Sequence, residues 1–242
     1  CAPLRGIHRR AGYRASAQVE SCTDPYAINY NSAATWNDGS CIYEETIYTP
    51  LHYLDLPVSL EESSGLIYWA GGIWTFNDSG GDPAIYKVDT ANGEVTQIVT
   101  ISGGNNIDWE DITQDEDYIY IGDFGNNAGN RKDLVIYKLE KTSIPDTGNV
   151  SVPADIIAFS YADQDDFTPQ FNDNEYDCEA IICVEGELYL FTKNWMSETT
   201  RLYALPTDPG TYSIMPVDSL DVEGLVTGAA YSDELKQIVL SG

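Results

Sequence analysis

The chain has 242 residues, 43% of them hydrophobic and 12% aromatic, which suffices for a folded core and excludes an intrinsically disordered protein. Twelve Lys and Arg residues face 39 Asp and Glu residues, so the formal net charge is -27. This charge repels nucleic-acid phosphates, and we expect no nucleic-acid partner. The sequence has no apolar run of about 18 residues, so we also predict no membrane span. Excess carboxylate favours divalent cations with oxygen ligands, and Ca²⁺ is the first candidate.

The first 18 residues differ in composition from the rest of the chain. They carry four of the twelve basic residues, and the next basic residue is Lys87. They lack the apolar centre of an intact signal peptide. We therefore predict that residues 1–18 are a processed leader or a disordered segment, with a lipidated Cys1 as the alternative.

Two cysteines, Cys22 and Cys41, enclose a loop that is rich in Asp, Asn and Gly and poor in apolar residues. A disulfide is the natural crosslink for such a loop. It would contribute about 3 kcal/mol in the chain-entropy model, and it requires an oxidising compartment. The spacing of Cys178 and Cys183 leaves open whether they bond to each other or remain buried thiols.

The segment between these first two cysteines, CTDPYAINYNSAATWNDGSC, resembles a short module of the pattern CTDPxAxNYNxxAxxDDGSC in secreted proteins of marine bacteria. The resemblance implies a disulfide-stapled module over residues 19–45. It also implies secretion or display at a bacterial cell surface. The end of the module, Asp38-Gly39-Ser40, suggests a small calcium-holding turn, and a purely structural disulfide loop is the alternative.

From about Leu56 onward, short β-rich runs alternate with Gly, Asp and Asn turns, without a helical period. A hairpin of two strands recurs at residues 63–78, 108–123, 177–193 and 226–242. Third strands are predicted at 84–89, 134–140 and 201–206, and fourth strands at 94–101, 154–161 and 211–217. Four antiparallel strands recurring every 45 to 70 residues or so are typical of a β-propeller. We predict an all-β fold with such a propeller over residues 46–242.

The fourth unit stops after its second strand, which predicts an incomplete or truncated propeller of about four four-stranded blades. Residues 42–58 contain two strand-like runs that would suit the missing strands. An open edge would otherwise allow the chain to form a homo-oligomer. The stretches NDSGG, DWEDI and GDFGNN resemble those of secreted bacterial propellers.

Acidic and amide side chains recur at similar places in the predicted units. Glu110 and Glu179 lie at the entrances of first strands, whereas Asp78, Asp123 and Asn194 lie at the ends of second strands. Such oxygen ligands suit Ca²⁺ better than zinc, so we predict that these five residues hold a calcium ion. The alternative is that they cap strands and pair with neighbouring turns.

The loop over residues 163–179 is a second acidic feature, because seven of its 17 residues are Asp or Glu. Either a bound Ca²⁺ orders this loop or it is solvated. Arg131 is one of the few cations near the predicted site, and we predict that it neutralises a carboxylate.

The residues that could catalyse a reaction are few. The chain has only two histidines, His8 and His52, and it lacks the GxSxG, HExxH and GxGxxG motifs. The acidic pattern is similar to that of gluconolactonase-like and paraoxonase-like propellers, which implies a calcium ion that polarises a lactone or ester. In this interpretation Asp108 or Asp111 activates water.

We therefore predict a secreted calcium-dependent hydrolase of lactones or esters. The alternative is a non-catalytic, calcium-stabilised propeller that binds a surface glycan or protein.

Overall fold

A computed structural model describes residues 18–42, 49 and 51–242. The chain divides into two compact units, Cys1–Tyr53 and Leu54–Gly242. Of the predicted leader, only Gln18 is among the described residues. Within the described ranges, no helix has the length and apolar character needed to cross a membrane.

The first unit contains the predicted disulfide, in which Cys22 and Cys41 are joined with an S–S distance of 2.08 Å. Asn29 stabilises the closed loop, because its Oδ1 accepts a hydrogen bond from the Ile42 N–H at 2.7 Å. Asp38 Oδ1 accepts the Ser40 N–H at 2.9 Å, and this hydrogen bonding lowers the pKa of Asp38. The turn Asp38-Gly39-Ser40 is thus held by hydrogen bonds from its own backbone to the side chains of Asn37 and Asp38.

The second unit is all-β, with two one-turn 3-10 helices, Val58–Leu60 and Lys141–Ser143. The first seven strands in chain order are β1 (Ser63–Trp69), β2 (Gly72–Asn77), β3 (Ala84–Val88), β4 (Val95–Ile101), β5 (Trp109–Gln114), β6 (Tyr118–Asp123) and β7 (Val135–Glu140). The remaining strands are β8 (Val150–Val152), β9 (Asp155–Tyr161), β10 (Cys178–Val184), β11 (Glu187–Thr192), β12 (Thr199–Pro206), β13 (Gly210–Ile214), β14 (Pro216–Asp221), β15 (Gly228–Ser232) and β16 (Gln237–Ser241).

Among the described residues these strands form four separate sheets, and none is closed on itself. The strand orders are β1-β2-β3-β4-β8, β13-β9-β7-β6-β5, β10-β11-β12-β14 and β15-β16. The four predicted hairpins, the three third strands and the first two fourth strands are therefore confirmed. The all-β class and the repeat of strand, turn and strand follow directly from the sequence pattern.

The fourth strand of the third unit was predicted wrongly. Residues 211–217 do not form one strand of that sheet: β13 leaves it and pairs in parallel with β9, whereas β14 is the antiparallel partner of β12. Pro216 lies at the break, where its missing N–H ends a continuous ladder. Similarly, β8 pairs in parallel with β4. The outer edges of the first two sheets are thus covered by strands from the following unit.

The strand-like runs predicted within residues 42–58 lie partly outside the described residues. The described part from Leu51 to Pro57 forms no strand, so the prediction is wrong there. Its largest apolar side chains are mostly outside a core, since Leu51 is 84% and Tyr53 74% exposed. A strand with no apolar face to bury is not stabilised by sheet pairing alone.

The sheets pack on one another through three apolar cores, so the second and third sheets are buried on both faces. Along β6, Ile119 and Ile121 enter the core between the first two sheets, while Tyr120 enters the core between the second and third. This alternation follows from the two-residue period of a strand. The first strands of the four sheets, β1, β5, β10 and β15, are neighbours in that order. The predicted acidic residues lie near the starts of these strands.

Candidate cation site

Three of the four first strands, β1, β5 and β10, have a bulge or register shift near the start, and in β5 and β10 the extra residue is a glutamate. In β5 the pairing moves from Trp109–Asp123 to Asp111–Gly122, which leaves Glu110 as the extra residue. In β10 the same shift leaves Glu179 unpaired. A bulge turns a side chain away from the regular alternation of the strand. Glu110 and Glu179 therefore occupy equivalent positions of successive units, as the sequence predicted.

Three carboxylates from two sheets converge in front of the bulge of β5. Asp78, Asp108 and Glu110 each place one carboxylate oxygen within 4.8 Å of the others. Glu110 is buried, whereas Asp78 and Asp108 are partly exposed. Gly125 closes one side, and a Cβ built on it would lie 2.1 Å from Glu110 Oε1 and 2.5 Å from Asp108 Oδ2. The absence of a side chain at this position is therefore required by the cluster.

The backbone that carries the cluster is held by two neighbouring side chains. Asn106 Nδ2 donates to the carbonyl oxygens of Asn77 and Asp78 at 2.9 and 2.5 Å, which ties the end of β2 to the loop before β5. Asp123 accepts the backbone N–H of Asp108 at 3.1 Å, and Arg131 Nη2 donates to the same carboxylate at 2.9 Å. Arg131 thus neutralises a carboxylate, as predicted.

A second acidic group lies beside the first and contains a lysine. Glu179 Oε1 accepts a hydrogen bond from Lys193 Nζ at 2.9 Å. Asp177 accepts the Asn126 N–H at 2.6 Å on one oxygen and the Trp195 Nε1–H at 2.9 Å on the other. Both carboxylates therefore accept hydrogen bonds from donors of full or partial positive charge.

Burial and mutual repulsion raise the pKa of the carboxyls in both groups. Burial and then the Asp78 charge raise the pKa of Asp108 to about 6. Burial raises the pKa of Glu179 to about 7, against the opposing effect of Lys193. The pKa of Glu110 is raised by burial and by the charges of Glu179 and Asp78. Ionising all of these carboxyls together is costly unless positive charge is supplied.

The structure does not bring all of the predicted ligands together. Asp123 is engaged by Arg131, as described above, and Asn194 is buried between Thr192 and Thr199, with which its side chain hydrogen-bonds at 2.7 and 2.9 Å. The strand register explains the difference, because Asp123 ends β6 whereas Asn194 lies two residues beyond the end of β11. Asp78 and Glu110 lie in the cluster, and Glu179 lies beside it.

Asp111, predicted as one of two water-activating groups, has a different position. It is buried, and its two oxygens accept the backbone N–H groups of Ile112 at 2.8 Å and Ile181 at 2.9 Å. Burial raises its pKa to about 7. These bonds join β5 to β10 and leave Asp111 no oxygen directed at the cluster. Of the two predicted groups, only Asp108 is near the cation site.

The acidic loop over residues 163–179 is organised by protein groups. Arg201 forms ion pairs with Asp163, at 3.1 Å, and with Glu175. Asp166 accepts the Thr168 N–H at 2.8 Å, and this bond lowers the pKa of Asp166. These contacts favour neither a bound ion nor a freely solvated loop. Cys178 and Cys183, at the end of the loop and on β10, are both free thiols.

The cluster also contains an acceptor that the protein leaves unsatisfied. Asp78 Oδ1 is buried and has no hydrogen-bond partner, and neither has the neighbouring Asn77 Oδ1. A buried oxygen without a donor costs free energy, and a cation would satisfy it. Hard carboxylate oxygens are the ligands that Ca²⁺ prefers, so the residues present fit a calcium ion.

Sequence reasoning missed Asp177, Lys193, Asn106 and Gly125. For Asp177 a signal existed, because the Asp-x-Glu pattern of residues 108–110 repeats at residues 177–179. The other three depend on how the loop before β5 folds against the ends of β2 and β6, for which the sequence carries no local signature.

Comparison with known proteins does not assign the chain to a family. No protein-family model and no curated protein matches the chain. Among solved structures, the computationally designed Ika4 protein is similar with a TM-score of 0.36 and 8% identity, over 80% of this chain and 98% of that chain. The computationally designed Ika8 protein has a TM-score of 0.34 and 10% identity, over 74% of this chain and 42% of that chain. Similarities at this level carry no argument about fold or function.

Proposed function

We propose that this chain is a calcium-dependent hydrolase of lactones or esters whose cation is held by Asp78, Asp108 and Glu110. The observation that carries the proposal is the convergence of these three carboxylates, one of which, Asp78, has a buried oxygen without a hydrogen-bond partner. Three carboxylates fill only part of a shell of 6–8 or so oxygen ligands. Because Asp78 and Asp108 are partly exposed, the remaining positions are open to water and substrate.

Calcium bound at this site would act as a Lewis acid toward the carbonyl oxygen of a substrate. The chain supplies the other functions. Asp108 combines partial exposure with a pKa raised to about 6, which suits a group that accepts a proton from water near neutral pH. Lys193, hydrogen-bonded to Glu179, adds a positive charge beside the cluster. Asn106 and Gly125 keep the carboxylates at their present separation.

The same proposal includes the architecture and the location of the protein. We infer that the sheets are blades of a β-propeller, because the first strands β1, β5, β10 and β15 adjoin in chain order and the cores lie between consecutive sheets. The Cys22–Cys41 disulfide supports an oxidising location, in agreement with secretion or surface display.

The test combines calcium titration with turnover. The purified chain is titrated with CaCl₂ by calorimetry, and hydrolysis of 4-nitrophenyl acetate and of γ-butyrolactone is measured with Ca²⁺ and with EDTA. Asp78→Asn should abolish both calcium binding and turnover, whereas Asp82→Asn, an exposed acid in the same turn, should change neither. Failure of the wild-type chain to bind Ca²⁺ overturns the site, and calcium binding without turnover overturns the hydrolase.

One observation favours a second function, in which the cation is structural and the protein is a calcium-stabilised binding module. Asp78 follows β2 of the first sheet, whereas Glu110 belongs to β5 of the second, so a shared ion would crosslink the two sheets. In that case EDTA lowers the melting temperature while no substrate of the panel is hydrolysed. A surface glycan or protein would then be the partner.

A further inference from the structure

A small cavity of about 160 Å³ is formed by the segment before β7, the end of β9 and the start of the acidic loop over residues 163–179. Its apolar walls come from Leu134, Phe159, Tyr161 and Phe167. The first three of these side chains are buried, and the Phe167 ring is half-buried. An apolar cavity of roughly 150 Å³ is large enough to hold a benzene ring. The cavity therefore has room for a ligand with one ring or a short alkyl chain.

In the described part of the chain, the charged side chains that line this cavity are both cations, although the net charge of the protein is -27. Arg131 is already engaged, because its guanidinium forms ion pairs with Asp123 at 2.9 Å and Asp133 at 3.1 Å. Lys132 is exposed, and its Nζ lies 4.1 Å from the centroid of the Phe167 ring. Every other Lys and Arg of the described residues hydrogen-bonds to a carboxylate or a backbone carbonyl, whereas Lys132 does neither. Its charge is thus available to a ligand.

The polar groups at the cavity lack an acceptor. The Phe167 ring attracts the Lys132 ammonium but provides no oxygen for its three N–H donors. Ser160 also lines the cavity and is exposed, so its hydroxyl is a second available donor. Hydrogen bonds from an ammonium group to a carboxylate are charge-assisted and are stronger than those to a neutral acceptor. An apolar cavity with these donors therefore favours a ligand that has an apolar body and a carboxylate.

We propose that this cavity is a binding site for a small monocarboxylate with an apolar body, of which benzoate is a simple example. Lys132 Nζ and the Ser160 hydroxyl bind the carboxylate, and the apolar body contacts the walls of the cavity. The overall negative charge of the protein opposes the approach of an anion, but salt screens this repulsion beyond about 8 Å at physiological ionic strength. The site is independent of the proposed hydrolase activity, because it uses none of Asp78, Asp108 and Glu110.

The test is a titration of sodium benzoate into the full chain by calorimetry, at about 0.15 M NaCl and with CaCl₂ present. The wild-type chain should bind benzoate saturably. Lys132→Gln should weaken binding by about tenfold, since it removes a charge-assisted hydrogen bond. The control Lys236→Gln removes the same charge from an exposed residue that does not line the cavity, and should leave the affinity unchanged. Binding should also persist in Asp78→Asn, which separates this site from a carboxylate bound through calcium.

A second pair of variants tests the apolar part of the site. Phe167→Ala removes one wall of the cavity and should weaken benzoate binding several-fold. Phe171→Ala removes an exposed ring of the same loop that does not line the cavity, and should have no effect. Acetate, which has the carboxylate but no ring, should bind more weakly than benzoate.

Three results would overturn the proposal. The first is the absence of saturable benzoate binding by the wild-type chain. The second is an equal loss of affinity in Lys132→Gln and Lys236→Gln, since benzoate would then respond to the overall charge. The third is binding that persists in Lys132→Gln and is lost in Asp78→Asn, because the carboxylate would then be bound at the cation site.

Discussion

Glu110 and Glu179 occupy the same bulge position in successive units, yet only Glu179 has a lysine partner, with 2.9 Å between its Oε1 and Lys193 Nζ. Glu110 instead faces Asp78 and Asp108. The two glutamates therefore differ in their partners. Lys193 offsets part of the charge of Glu179, whereas burial and the charges of Glu179, Asp78 and Asp108 raise the pKa of Glu110.

This contrast predicts that the two isosteric substitutions differ in their response to Ca²⁺. Glu110→Gln should abolish stabilisation by Ca²⁺, because it removes a ligand, and should leave the melting temperature in EDTA nearly unchanged at about pH 7, because the raised pKa of Glu110 keeps its carboxyl protonated. Glu179→Gln should retain stabilisation by Ca²⁺, because Glu179 pairs with Lys193 and not with the ion. Thermal unfolding with Ca²⁺ and with EDTA checks both effects, and the loss of calcium stabilisation in both variants would contradict the assignment.

Gly125→Ala should prevent calcium binding while leaving the fold intact. The added methyl group would meet the oxygens of Glu110 and Asp108 at 2.1 and 2.5 Å, so the cluster has to open. Gly81→Ala is the matched control, because the nearest atoms to its Cβ would lie at 3.7 Å. Calcium titration by calorimetry separates the two, and an unchanged affinity for Gly125→Ala would show that the ion, if bound, lies elsewhere.

Asp111 should contribute to the stability of the fold but not to the binding of the cation. Asp111→Ala removes the acceptor of the Ile112 and Ile181 N–H groups, and we expect a loss of about 1–3 kcal/mol in the free energy of unfolding. Asp117→Ala, in the exposed turn of the same hairpin, should change it by less than about 0.5 kcal/mol. Urea denaturation measures both, and the difference between them should be the same with and without Ca²⁺.

Stability without calcium should fall as the pH rises from about 4 to about 7. The pKa of Asp108 is raised to about 6, and those of Asp111 and Glu179 to about 7, chiefly by burial. In this interval the folded chain binds more protons than the unfolded chain, so the free energy of unfolding decreases with increasing pH. Melting temperatures measured in EDTA across this range test the sign. Calcium should reduce the slope, because it compensates the ionised Asp108.

The hairpins were predictable because their signal is local. Alternating apolar residues and turn residues such as Gly71, Gly93 and Gly186, all at positive φ, mark where strands end. Glu110 was predictable as a site residue because it recurs with the repeat. The exclusion of Asn194 and Asp123 was not, because a shift of one or two residues past the end of a strand decides whether a side chain reaches the cluster.

Arg131 was identified from composition, since it is a rare cation in an acidic chain. Lys193 was overlooked because its partner, Glu179, depends on the register of β10 with β11. The position of Asp111 likewise depends on a contact with Ile181, which is distant in sequence and belongs to a different sheet. Contacts between sheets are decided by packing, and no local pattern encodes them.

The parallel strands β8 and β13 determine when the first two sheets can be completed during synthesis of the chain. Val99 of β4 pairs with Val150, and Phe159 of β9 pairs with Tyr212, so each of the first two sheets is finished by a segment that the ribosome makes after most of the next sheet. Until that segment emerges, the outer edge of β4 or β9 is open to pairing with another chain. A pause in translation between residues 101 and 150 would therefore prolong the interval in which the nascent protein is prone to aggregate.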